Sequence, residues 1–276
     1  MSALISTADL DRLLTTSPRT TVIIDARWVM GGASQRPAYL AAHLPGAHHV
    51  DVEAELSGVA GPHGRHPLPT PVSVQAVVNR CGINPDSTVI VYDDQNSLPA
   101  ARVWWTLRYF GVADVRVLDG GWAAWTRADL PTESGIPAPG RGTLAVSPGH
   151  LPILDAAGAA KTAMEGVLLD ARTLERFRGE HEPIDKVAGH IPGAVNTPMA
   201  DTLDSQGRLR PASELRSYFA EHGGGPAKPI GTTCGSDITA AHTALALTEA
   251  GFDAAVYIGS WSDWITDPTR PVATGA

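Results

Sequence analysis

Short blocks of aliphatic and β-branched residues punctuate the chain at regular intervals. Thr21-Val22-Ile23-Ile24-Asp25 and Thr88-Val89-Ile90-Val91-Tyr92 are runs of strand length with polar neighbours, and Val115-Arg116-Val117-Leu118 is a third. Continuous apolar runs of this size predict strands buried on both faces. Between and after them lie stretches with helical spacing, such as 72–80 and 100–110, the latter closed by Gly111. Strand alternating with helix implies a parallel sheet covered on both sides. In such sheets ligands bind beyond the carboxyl ends of the strands.

The pattern is written twice. Val22-Ile23-Ile24-Asp25-Ala26-Arg27 recurs as Val167-Leu168-Leu169-Asp170-Ala171-Arg172, and Ala42-His43-Leu44-Pro45-Gly46-Ala47 as Gly189-His190-Ile191-Pro192-Gly193-Ala194. Leu118-Asp119-Gly120-Gly121-Trp122-Ala123-Ala124-Trp125 recurs as Tyr257-Ile258-Gly259-Ser260-Trp261-Ser262-Asp263-Trp264. Three matches in the same order indicate a duplicated domain. A Pro/Gly-rich stretch around residues 133–142 separates the copies. We expect a first domain over residues 1–134, a linker over 135–144 and a second domain over 145–276.

Composition narrows the function classes. Hydrophobic residues are 43% of the 276 and charged residues 18%, enough for a full core in each copy. The net charge is −8 and the 21 basic residues form no run, which argues against nucleic acid as a partner. The first ten residues lack the basic start and apolar run of a secretory signal. No stretch reaches the ~18 apolar residues of a membrane span, so the expectation is a cytoplasmic protein without a membrane partner. The two cysteines, Cys81 and Cys234, form no C-x-x-C pair and read as free thiols. His48 and His49 point apart on an extended chain, so no metal is expected.

Candidate chemistry concentrates at Thr233-Cys234-Gly235-Ser236-Asp237-Ile238-Thr239-Ala240. A cysteine follows a strand-like run, small polar residues follow the cysteine, and an alanine-rich helix follows them. That setting points backbone N–H groups and a helix N-terminus at the sulfur, which favours the thiolate. The competing reading is a buried structural cysteine. The first copy decides between them, because its corresponding position is Asp93, in Val91-Tyr92-Asp93-Asp94-Gln95-Asn96. The fold does not require a thiol there.

With these residues in place, the chain resembles the two-domain rhodanese-type sulfurtransferases, which include thiosulfate and 3-mercaptopyruvate sulfurtransferases. The resemblance rests on the paired His-Leu/Ile-Pro-Gly-Ala motifs, Val103-Trp104-Trp105, the two Gly/Ser-Trp-x-x-Trp ends and the Cys234 loop. It implies an α/β fold of two tandem rhodanese-like domains, each a parallel sheet flanked by helices, with only the second catalytic. Related phosphatases on this fold need Cys-x5-Arg; here Ala240 stands where the arginine would be.

The implied reaction moves a sulfane sulfur from a small anionic donor, thiosulfate or 3-mercaptopyruvate, to a thiophilic acceptor through a persulfide on Cys234. The acceptor would be cyanide or a thiol, including a thiol protein such as thioredoxin; neither organic cofactor nor metal is implied. Gly235-Ser236 is similar to the Cys-Gly-Ser loop of mercaptopyruvate sulfurtransferases, in which a loop serine works with a histidine and an acidic residue from the first domain. The matching residues are Ser236, His66 and Glu53. Substrate binding falls to Arg176 and to Gly235, Asp237, Ile238 and Thr239 of the loop. The family's second substrate arginine is replaced by Ile184, with Lys186 near enough in sequence to compensate. At Asp237 the family usually has glycine. One reading makes Asp237 a side-chain cap of the helix starting at Ile238, and this is the reading we favour. The other makes it a carboxylate that opposes the thiolate and repels the donor. The alternative to an active enzyme is a catalytically weak rhodanese-like module that carries sulfur or binds a partner.

Overall fold

The computed structural model describes residues 2–275. The chain divides into two compact units. One comprises Met1–Ser57, Pro69–His150 and Gln206–Arg208; the other comprises Gly58–Leu68, Leu151–Ser205 and Leu209–Ala276. The division is therefore not a single cut near residue 135. Segment 58–68 lies in the first half of the sequence yet belongs to the second unit.

In the first unit the elements run β1 (Leu4–Ile5), α1 (Thr7–Thr16), β2 (Thr21–Asp25), α2 (Arg36–Ala41), β3 (His48–His49), α3 (Pro71–Cys81), β4 (Thr88–Tyr92), α4 (Leu98–Tyr109), β5 (Asp114–Leu118) and α5 (Gly121–Arg127). The five strands form one parallel sheet in the order β1-β5-β4-β2-β3, with Asp25 opposite Tyr92. The runs read as doubly buried strands are β2 and β4, and four of five residues in each are buried. Helix α3 begins where Thr70 caps it through Ser73 N–H and ends at left-handed Gly82, as its composition dictates. Ile23, Ile90, Tyr92, Leu118 and Trp125 pack with Leu10 and Leu44 into its core.

The second unit repeats the plan as β6 (Ile153–Leu154), α6 (Ala156–Glu165), β7 (Val167–Asp170), α7 (Leu174–Arg178), β8 (Val195–Asn196), a 3-10 turn at Met199–Thr202, α8 (Ala212–Glu221), β9 (Ile230–Thr233), α9 (Ile238–Ala250), β10 (Ala255–Tyr257) and α10 (Ser260–Trp264). Its parallel sheet has the matching order β6-β10-β9-β7-β8, and Asp170 lies opposite Thr233. Helix α9 is alanine- and leucine-rich and buried on nearly every face, as a helix without a polar stripe must be.

Repeated residues do repeated work. Arg27 is clamped to Asp25, bonds to Ala42 O at 2.8 Å and stacks 4.8 Å from the Trp122 ring. Arg172 is clamped to Asp170, bonds to Gly189 O at 2.8 Å and stacks 4.9 Å from the Trp261 ring. His43 Nδ1 meets Tyr39 O at 2.9 Å, and His190 Nδ1 meets Phe177 O at 2.8 Å. The paired histidines are thus framework. Cys81 closes α3 as a buried residue, and burial pushes its thiol up to about 12. No helix among the described residues is long and apolar enough to cross a membrane.

Candidate active site

Strand β9 ends at Thr233, and the chain then turns through Cys234-Gly235-Ser236-Asp237 into α9. This is the carboxyl end of the middle strand of the sheet. The Cys234 side chain is buried, and its Sγ accepts the Asp237 N–H at 3.1 Å. The turn is stapled to α10: Trp261 N–H donates to Cys234 O at 3.0 Å and Ser262 N–H to Gly235 O at 2.9 Å.

Asp237 occupies the N-cap position of α9, but its side chain makes no capping bond. The expected side-chain cap is therefore corrected, and the reason lies in the backbone. Ser6, Thr70 and Asp155 cap their helices from extended backbone, with ψ near 150° or beyond. Asp237 instead has φ 81°, a left-handed conformation outside that capping geometry, while its N–H donates to the sulfur. The tolerance of aspartate for that region is used, while its carboxyl is wholly buried.

Ser260 touches the same cysteine from α10. It too has positive φ, 51°, and is wholly buried. Its Oγ accepts Cys234 N–H at 3.2 Å, donates to Tyr257 O at 2.8 Å and lies 4.0 Å from Sγ. In the first copy the corresponding residue is Gly121, φ 53°, where a Cβ would stand 2.3 Å from Asp93 O. Left-handed backbone costs a non-glycine residue roughly 1 kcal/mol, so the serine departs from the scaffold's own preference.

The first copy shows what the turn does without a thiol. Trp122 N–H donates to Asp93 O at 2.8 Å, as Trp261 N–H does to Cys234 O, so the two positions are equivalent. The Asp93 carboxylate accepts the N–H groups of Gln95, Ser97 and Ala100 at 2.8, 3.1 and 2.8 Å. The turn is thus an amide cradle that its own side chain fills. Burial raises the Asp93 carboxyl and the three N–H donors oppose it, leaving it at about 6.

Segment 58–68 brings two further groups to the turn after Cys234. At Gly64, φ 100°, a Cβ would stand 2.8 Å from Gly259 O and 2.9 Å from Ser262 Oγ, so only glycine allows this approach. Arg65 N–H then donates to Ser262 Oγ at 3.0 Å. His66 Nδ1 reaches Ser236 Oγ at 2.8 Å, and both side chains are buried. The neutral imidazole can accept the serine proton there or donate to its oxygen, according to its tautomer. Glu53 belongs to the first unit, where its exposed carboxylate accepts Trp28 Nε1–H at 3.3 Å.

Arg176, on α7, is held side-on by Glu182 through Nε at 3.1 and 3.0 Å and Nη2 at 2.8 Å, with Nη2 also 3.1 Å from Asp185. Arg65 Nη1 pairs with the other oxygen of Asp185. A Cβ at Gly235 would stand 3.1 Å from Arg65 Nη2 and 3.4 and 3.5 Å from Arg176 Nη2 and Nη1. Glycine at 235 therefore makes room for two guanidinium groups against the turn. Burial raises Glu182, but hydrogen bonds from Arg176 and from the Asp185 and Ile184 N–H groups outweigh it and hold the carboxyl below its usual range. Arg172, which carries the Asp170 clamp, lies 3.6 Å from the same glutamate.

The structure thus gathers Cys234, Gly235, Ser236, Asp237, His66 and Arg176, with Ile238 buried and Thr239 half-buried in the first turn of α9. Lys186 is exposed and has no ion pair among the described residues. The second guanidinium at Gly235 is that of Arg65. Sequence reasoning passed over Arg65, Ser260, Glu182 and Asp185. Ser260 was visible as the serine aligned with Gly121; Arg65 had no signal beyond its place before His66.

The fold and this site define a rhodanese. A rhodanese-like domain matches residues 6–128 and again 155–267, and the chain belongs to the two-domain rhodanese family of sulfurtransferases. It is 44% identical over 260 residues to a Mycobacterium tuberculosis protein named "Putative thiosulfate sulfurtransferase SseB", covering 92% of this chain and 90% of that one. It is also 44% identical over 262 residues to the "Probable 3-mercaptopyruvate sulfurtransferase" of Pseudomonas aeruginosa, covering 92% of each. Among solved structures it is similar to SseA of Escherichia coli, described as a 3-mercaptopyruvate sulfotransferase of rhodanese fold. The TM-score there is 0.83 and the identity 33%, over 95% of this chain and 100% of that one.

Proposed function

We propose that this chain is a sulfurtransferase that takes a sulfane sulfur from thiosulfate or 3-mercaptopyruvate onto Cys234 and passes it to a thiophilic acceptor. The observation that carries this reading is the amide turn. One fold position holds Asp93 locked into three N–H groups in one copy, and Cys234 with Sγ on Asp237 N–H in the other. Such a cradle suits an anion, and in the second copy the residue it holds is a sulfur nucleophile.

With thiosulfate, the Cys234 thiolate attacks the outer sulfur, the S–S bond of the donor breaks and sulfite leaves with the bonding pair. With 3-mercaptopyruvate, the C–S bond breaks, its electron pair goes to carbon and the thiol proton ends on that carbon, giving pyruvate. Both leave an anionic persulfide for the turn amides to hold. Ser236 and His66, in hydrogen-bond contact, are placed to move the proton in the second case. Arg176 offers Nη1, the part of its guanidinium not taken by Glu182 or Asp185, to the donor anion. The second half-reaction, attack by cyanide or a thiol on the outer persulfide sulfur, regenerates the thiolate.

Steady-state kinetics test the reading. Parallel double-reciprocal lines for donor and acceptor are expected, with all turnover lost in Cys234→Ser. Intersecting lines, or turnover surviving that substitution, would contradict it.

A further inference from the structure

The Arg65 guanidinium carries an unmet demand at this site. Its main chain is fixed by Ser262 Oγ, and its Nη1 is fixed by Asp185. Nε and Nη2, the two nitrogens of one planar edge, have no hydrogen-bond partner among the described residues. Nε is moreover buried. A buried charged donor without an acceptor is costly, and folded proteins rarely leave one in place without a use for it. That edge is the fork that matches a carboxylate through two parallel N–H bonds. Its Nη2 stands beside Gly235, the residue after the nucleophile, with Arg176 Nη1 at the same point.

Charge decides which donor the fork suits. The guanidiniums about the turn are Arg65, Arg172 and Arg176, and the carboxylates facing them are Asp170, Glu182 and Asp185. These cancel, so the named pairs leave no surplus of either sign beside the loop. A site with good donors but no surplus of positive charge favours a planar monoanion over a tetrahedral dianion.

Resting on the sulfurtransferase reading above, we propose that Arg65, bracketed to Arg176 by Asp185, is the second substrate-binding arginine of this enzyme and receives the donor's carboxylate on its Nε/Nη2 edge. The preferred donor is then a 2-oxo acid bearing a β-thiol, the class of 3-mercaptopyruvate. The position left by Ile184 is thus filled from another part of the chain.

Two variants test it in the full-length protein. Arg65→Lys keeps the charge that pairs with Asp185 but has no fork, and Arg65→Met removes both. For 3-mercaptopyruvate, KM is expected to rise about 10- to 100-fold in Arg65→Lys and at least as far in Arg65→Met, with kcat changed less than about 3-fold. Product inhibition by pyruvate, used as a carboxylate probe, should weaken in step, while KM for thiosulfate moves less than about 2-fold in Arg65→Lys, which keeps the charge. Unchanged constants for 3-mercaptopyruvate and pyruvate in both variants, or an equal rise for both donors in Arg65→Lys, would overturn the proposal. So would a wild-type protein that turns over thiosulfate but not 3-mercaptopyruvate, an outcome that leaves the sulfurtransferase reading standing. Absence of turnover with either donor would instead defeat that reading.

Discussion

At Asp237 a single φ angle carries the most consequence. The residue gives up capping geometry to present its N–H to Cys234 Sγ, and its carboxylate is buried within the same turn. Glycine adopts this backbone without strain and would keep the N–H where it is. Asp237→Gly is therefore expected to raise kcat/KM for anionic donors by several-fold. The gain should be larger for thiosulfate, the dianion, than for 3-mercaptopyruvate. Unchanged turnover with both donors would remove the electrostatic role assigned to the carboxylate. The side chain itself was readable from its divergence from the family's glycine; its lack of a cap was not. Capping depends on the backbone angle of the turn, which is left-handed at Ser97 in the first copy too, and that angle is a tertiary property.

Among the elements, the strand-turn-helix unit is the one the chain uses twice. Its strands were legible because a doubly buried strand needs an unbroken apolar run, which β2, β4 and β7 all have. Its amide cradle was inferred from a cysteine between strand and helix, and the copy holding Asp93 shows the same cradle with a carboxylate in it. That loop makes its own prediction. A carboxyl raised to about 6 when folded, against 3.8 when free, binds its proton more tightly in the native state. Between those values the folded chain holds more protons than the unfolded one, so the contribution of Asp93 is most favourable below the lower value. It declines as pH rises through the higher one. Asp93→Asn should remove this decline, seen as a flatter dependence of the urea midpoint on pH between about 4 and 7. A wild-type midpoint that falls no faster than that of the variant would show that the three N–H bonds outweigh burial.

For the whole molecule, the duplication was the most informative feature of the sequence, since ordered motifs survive divergence when each holds a structural contact. The Asp-Arg-Trp clamps at Asp25, Arg27 and Trp122 and at Asp170, Arg172 and Trp261 are such contacts. Segment 58–68 was not legible as a part of the second unit. Nothing in its composition records that Gly64 packs on Gly259, or that Arg65 and Asp185, far apart in the chain, form an ion pair. Motifs pointed to Cys234, Ser236, His66 and Arg176, and the aligned copies offered Ser260, whereas Arg65 needed the fold. Position in three dimensions, not residue type, singles out Arg65.

The account stands on a persulfide at Cys234, which intact mass spectrometry after exposure to donor measures directly. With 3-mercaptopyruvate and no acceptor, a gain of one sulfur atom is predicted, mapped to the Cys234 peptide and not to Cys81, whose thiol burial pushes up to about 12. The gain should vanish on adding cyanide and be absent in Cys234→Ser. A chain that gains no sulfur from 3-mercaptopyruvate or thiosulfate, or gains it on Cys81, would contradict the account and leave a rhodanese-like module that acts by binding alone.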